Sequence, residues 1–85
     1  MVLSNLEEAI FVAQRILTKI DKLTTSKGGK PKTLFIPEEY YYKILDNIRQ
    51  LSPIVSKSKN DIIVQSVIVK PSKVINRKTK EFYNS

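Results

Sequence analysis

The chain has 85 residues and carries 15 Lys and Arg against 8 Asp and Glu, a formal charge of +7, with neither cysteine nor histidine. That length predicts one domain, residues 1–85, and the composition excludes disulfides and metal sites built from sulfur or imidazole ligands. A domain this small buries little surface, which favours a homodimer, and the positive charge favours a polyanionic partner, nucleic acid first. Because no apolar run is long enough to cross a bilayer and no signal segment is evident, we expect a cytoplasmic protein without membrane contact.

The first predicted element is a helix over roughly residues 5–23. Ser4 and Glu7 have the spacing of a capping box, in which each side chain accepts a hydrogen bond from the backbone N–H of the other residue. Apolar residues at helical spacing predict a buried stripe, formed by Leu6, Ile10, Ala13, Leu17 and Ile20 and flanked by Ala9, Ile16 and Leu23. Phe11 falls off this stripe and is therefore a candidate contact for a partner subunit.

Residues 24–32 are predicted to form a loop, because they combine Thr and Ser with two glycines and a proline. The loop carries Lys27, Lys30 and Lys32 and no acidic residue. A basic loop of this kind is suited to contacts with backbone phosphates.

The next segment predicts a strand that leads directly into a helix. Residues 33–36 are strand formers, and Pro37 both ends a strand and suits the start of a helix. Glutamates in the first turn and an apolar stripe then predict a helix over residues 38–51, which Pro53 terminates. Tyr42 lies away from the stripe and is a second candidate contact.

The run from Asp61 to Val69 predicts a single strand buried on both faces, because six of its nine residues are β-branched and apolar. A short edge strand is expected at residues 74–75. Residues 77–85 are expected to be a flexible tail.

These elements predict an α+β domain in the order helix, strand, helix, strand, strand. Two helices would pack on a short mixed sheet, with strands 33–36 and 61–69 parallel and joined by a crossover. This element order is similar to that of the Alba nucleic-acid-binding fold without its first strand.

A second, local resemblance covers residues 31–68. The segment Phe35-Ile-Pro-Glu-Glu-Tyr-Tyr-Tyr-Lys-Ile44 resembles the strand-to-helix junction of ribbon-helix-helix DNA-binding proteins, and Ser58 to Val67 is similar to the start of their second helix. The resemblance implies an alternative fold, an N-terminal helix followed by a ribbon-helix-helix dimer. It also implies that the paired strands enter the major groove and present Pro31, Thr33 and Phe35 to the bases.

The distribution of charge predicts a small basic protein that binds DNA or RNA, mainly through the phosphate backbone and as a homodimer. The candidate nucleic-acid-binding residues are Lys27, Lys30, Lys32, Lys57, Lys59, Lys70, Lys73, Arg77, Lys78 and Lys80.

The alternative function is a protein–protein interaction module, such as a small inhibitor or adaptor from a virus or other mobile element. Its candidate contacts are the aromatic residues Phe11, Tyr42, Phe82 and Tyr83, because aromatic side chains dominate interface hot spots. We expect no enzyme, since the sequence shows no set of nucleophile, base and orienting group. We likewise expect no cofactor and no metal.

Overall fold

The computed structural model describes residues 4–73 and 82–84 and shows an α+β fold. Its elements, in chain order, are α1 (Asn5–Lys27), β1 (Thr33–Pro37), α2 (Glu38–Asp46), α3 (Ile48–Leu51), β2 (Val55–Ser58), β3 (Asp61–Val64), β4 (Val67–Ser72) and β5 (Tyr83–Asn84). The strands form one mixed sheet in the order β2-β3-β4-β1-β5. The predicted class, helices packed on a short mixed sheet, is confirmed.

Helix α1 begins at the predicted capping box and ends four residues later than predicted. Ser4 Oγ accepts from the N–H of Glu7 at 3.1 Å, and the N–H of Ser4 donates to Glu7 Oε1 at 3.2 Å. Gly28, with φ 77°, stops the helix in the left-handed conformation that glycine adopts readily. The polar residues before it stay helical while their hydroxyls donate to the carbonyl one turn earlier, at 2.7 to 2.9 Å. The backbone of Lys27 therefore belongs to α1 and not to the loop.

The side of α1 that faces the core is shifted from the centre of the predicted stripe toward its predicted flank. The buried residues are Ala9, Val12, Ala13, Ile16, Ile20 and Leu23. Leu6 and Ile10 are 36% and 41% exposed, so their predicted burial is wrong, and Leu17 is only partly buried. Apolar residues cover more than one stripe of this helix, and both stripes have helical spacing, so periodicity alone does not select between them.

The predicted helix 38–51 is interrupted at Asn47. This residue has φ −120° and ψ 24°, values outside the helical region, and it separates α2 from α3. Its side chain is buried, and Nδ2 donates to the carbonyl of Lys43 at 2.9 Å. The amide thus satisfies a carbonyl near the end of α2 and stabilises the break.

The predicted strand 61–69 is in fact a hairpin of β3 and β4. Gln65 and Ser66, with φ of 49° and 68°, form its two-residue turn. Positive φ at both positions is typical of the type I′ turn, whose twist matches that of the flanking strands. Only β4 is parallel to β1, whereas β3 is antiparallel to β4.

A second hairpin joins β3 to β2, a strand that the sequence did not predict. Val55 to Ser58 pair antiparallel with Val64 to Asp61, and the connecting turn contains Lys59 with φ 55°. The stretch that the ribbon-helix-helix alternative requires as a second helix is therefore extended. The mixed sheet, and not that alternative architecture, is the observed fold.

The two faces of the sheet differ in burial. Residues at alternate positions lie under the helices and are at most 1% exposed, namely Leu34, Ile36, Val55, Ile62, Val64, Val67 and Val69. Residues between them on the opposite face are half-buried or exposed, including Thr33, Phe35, Ile63, Ile68 and Lys70. We call these last five residues the open face. The prediction that residues 61–69 are buried on both sides is wrong, because the helices cover one side only.

The described end of the chain is part of the fold. Phe82 is 5% exposed within the core, and Tyr83 and Asn84 pair antiparallel with β1. The Arg15 guanidinium carbon lies 4.6 Å from the centre of the Phe82 ring, a cation–π contact. The predicted flexible tail is therefore wrong for residues 82–84. The predicted edge strand at 74–75 and the remainder of the tail lie outside the described residues.

Candidate nucleic-acid interface

The open face is a continuous patch that spans three adjacent strands. Ile68 on β4 is paired with Ile63 on β3 and with Thr33 on β1, so these three side chains form one row across the sheet. Lys70 is paired with Phe35 and forms the next row. Side chains in paired positions emerge from the same face of a sheet, so an aromatic ring, two isoleucines and a cation lie side by side.

Two of the predicted lysines flank the end of the open face at which β1 and β4 begin. Lys30 Nζ donates to the carbonyl of Gln65 at 3.0 Å, and the N–H of Ile68 donates to the carbonyl of Lys32 at 3.1 Å. These bonds hold the loop after α1 against the turn between β3 and β4. We call the exposed pair Lys30 and Lys32 the loop cluster.

Four more of the candidate lysines lie toward the opposite end of the sheet. Lys59 is in the turn between β2 and β3. Because β3 is antiparallel to β4, this turn lies beside the last residues of β4. We call the exposed residues Lys57, Lys59, Lys70 and Lys73 the hairpin cluster. Because β4 runs from residue 67 to residue 72, about 17 Å separate its two ends at the usual rise per strand residue.

The structure therefore places six predicted lysines in two clusters at the two ends of the sheet, and not along a single edge. Lys70 emerges from the open face, whereas Lys57 is paired with buried Ile62 and emerges from the other face. The side chain of Lys27 and the whole of Arg77, Lys78 and Lys80 lie outside the part of the chain that the structure describes.

The charges of the described residues are segregated between the two layers. The three helices carry six acids (Glu7, Glu8, Asp21, Glu38, Glu39 and Asp46) and six bases (Arg15, Lys19, Lys22, Lys27, Lys43 and Arg49). The strands, turns and loop between residues 28 and 73 carry the six lysines of the two clusters and a single acid, Asp61. The helical layer is formally neutral, and the sheet layer holds most of the net positive charge. Within the helical layer, Lys43 of α2 forms an ion pair with Glu8 of α1.

Two of the four candidate protein-contact residues, Phe11 and Phe82, line one groove. Phe11 is 59% exposed, and the groove of about 470 Å³ is formed between residues of α1, including Arg15, Lys19 and Lys22, and Phe82. Tyr42 is 53% exposed and packs edge-on against Tyr41, with ring centres 5.7 Å apart.

The two C-terminal candidates have different positions. Phe82 is 5% exposed and lines the groove beside Phe11, so its role as a partner contact stays a prediction. Tyr83 pairs through its backbone with Phe35. Its side chain lies outside the part of the chain that the structure describes.

The fold alters the proton affinity of Tyr41. Burial raises the pKa of its phenol, and the negative charge of Asp61 and the neighbouring Tyr42 raise it further. A phenol with a raised pKa keeps its proton at neutral pH, the opposite of what a general base requires. Among residues 4–73 and 82–84, no group of three or more acidic side chains could hold a metal ion. Within the same residues, no helix has the length and apolar character needed to cross a membrane.

Comparison of the chain with protein-family models, with curated proteins and with solved structures found no significant match. The resemblances to the ribbon-helix-helix and Alba families therefore stay predictions, and functional inference rests on the geometry and charge of this chain alone.

Proposed function

We propose that the protein binds nucleic acid, DNA or RNA, mainly by contacts between the lysines of its sheet layer and backbone phosphates. The observation that supports this proposal is the segregation of charge. Six lysines against one acid lie in the sheet layer, whereas the helical layer balances six bases with six acids. A net charge that served only solubility would not need this separation, because mixed charges over the whole surface keep a small domain soluble. A polyanion is the partner that a one-sided positive field attracts.

The test is the salt dependence of binding. Fluorescence anisotropy of labelled oligonucleotides, single-stranded and duplex and of equal length, gives the association constant at a series of NaCl concentrations. If about five lysines neutralise phosphates, the logarithm of the association constant should fall with the logarithm of salt with a slope of about −3.5 for a single strand and about −4.5 for a duplex. Binding that is weak at low salt, or that stays constant as salt rises, would contradict phosphate-driven association.

A second candidate function, self-association or binding of another protein, is supported by the exposed apolar residues of α1. Ile10 and Phe11 are adjacent in the chain and are 41% and 59% exposed. For this candidate we propose a homodimer, because a domain of 85 residues gains buried surface by pairing. Light scattering during size-exclusion chromatography distinguishes the mass of a dimer from that of a monomer. Ile10→Glu should convert the dimer to a monomer. A wild-type protein that elutes as a monomer at all concentrations excludes the dimer.

A further inference from the structure

We propose that the nucleic acid is bound as a single strand, which lies along the open face between the two lysine clusters and stacks an unpaired base on Phe35. This inference rests on the proposed function and adds the class of ligand and the surface that holds it.

The shape of the basic surface favours a single strand over a duplex. Proteins read duplex DNA by inserting a helix or a two-stranded ribbon into a groove. The strands of the sheet layer instead form one continuous sheet, and the turns of both hairpins contain only two residues. Neither hairpin has a long connecting arm that could enter a groove.

The chemistry of the open face points to the same ligand. Half-buried Phe35, Ile63 and Ile68 lie beside the cation of Lys70. A duplex keeps the apolar faces of its bases stacked inside and presents phosphates and sugars to a flat surface. An unpaired strand presents both kinds of group, so its bases can contact the ring and the aliphatic side chains while its phosphates reach the lysines.

The spacing of the clusters suits a short strand. The ends of β4 are about 17 Å apart, with the loop cluster at one end and the hairpin cluster at the other. The single aromatic ring of the open face can stack one base. Phe35, in the middle of β1, is paired with Lys70 of the hairpin cluster, so a base held on its ring would have one flanking phosphate beside Lys70 and the next directed toward the loop cluster.

The test compares Phe35→Leu, which removes the aromatic ring but keeps an apolar side chain, with Phe35→Tyr, which keeps the ring. The probes are a labelled oligothymidylate and a labelled duplex of the same length, at one low salt concentration. The wild type should bind the single strand more tightly than the duplex, and Phe35→Leu should lose about tenfold in affinity for the single strand alone. Phe35→Tyr should bind like the wild type. Tyr42→Leu, which removes an exposed ring from the helical layer, is the matched control and should also bind like the wild type.

Each remaining outcome overturns the inference. Equal, salt-dependent binding of single strand and duplex, unchanged in Phe35→Leu, excludes stacking on the open face but leaves the proposed function in place. Equal loss in Phe35→Leu and Phe35→Tyr, or a changed mass in size-exclusion chromatography, assigns Phe35 to the fold or to an interface with a second copy of the chain. Failure of the wild type to bind either probe overturns both this inference and the proposed function.

Discussion

Ile62→Ala should lower the free energy of unfolding by about 3 kcal/mol, and Ile63→Ala by only about 1 kcal/mol. The two residues are adjacent and chemically identical, yet Ile62 is fully buried under the helices and Ile63 lies half-buried on the open face. Truncation of Ile62 leaves a cavity in a packed core, whereas solvent can fill the space left at Ile63. Both substitutions lose the same strand propensity. The difference between their losses in free energy of unfolding therefore reports burial alone.

Urea denaturation of the two variants and the wild type measures this difference. The slope of free energy against urea should be equal in all three proteins, which confirms that the variants change stability and not the extent of unfolding. Equal destabilisation by the two substitutions would contradict a sheet that is covered on one side only.

Lys59→Glu combined with Lys70→Glu should weaken binding of a single-stranded oligonucleotide by about ten- to a hundredfold at low salt. The salt slope should become shallower by about 1.4, because two phosphate contacts are lost. Both lysines are exposed members of the hairpin cluster and have no role in the buried core, so the melting temperature should change little. The effect should be similar for different base sequences, since phosphate contacts carry no sequence information.

The matched control is Lys22→Glu combined with Arg49→Glu, which changes the net charge equally but alters exposed positions on the helical layer. This variant should bind nearly as well as the wild type. If it loses as much affinity as the sheet variant, association depends on net charge and not on the sheet layer. A loss of affinity confined to the control variant would indicate that the binding surface is on the helices, where Lys22 lines the groove beside Phe11.

Local signals in the sequence predicted where several elements begin. The Ser4–Glu7 capping box and the change from strand to helix at Pro37 are both present in the structure. These features depend on residues within one turn of each other, which is why sequence alone contains them.

Features that depend on packing could not be predicted in the same way. The turn at Gln65 and Ser66 contains none of the Gly, Asn or Asp residues that favour positive φ. The signal that could have revealed it is the pair of polar residues in the middle of an apolar run. The side of α1 that faces the core likewise follows from the position of its neighbours.

The candidate site was predicted in its residue types and not in its arrangement. The basic segments are evident in the sequence, but their placement at the two ends of one sheet follows from the two hairpins, which the sequence did not predict. In the sequence, only the ribbon-helix-helix resemblance indicates a contact between Phe35 and bases. Its position on the open face follows from the alternation of burial along β1.

The most direct test of the open face as the binding surface is to follow the backbone amide chemical shifts of isotopically labelled protein during titration with oligothymidylate. The largest changes should occur at Thr33, Phe35, Ile68 and Lys70, with small changes along the outer side of α1. Changes concentrated on α1 around Phe11, with the amides of β1 and β4 unaffected, would contradict the account.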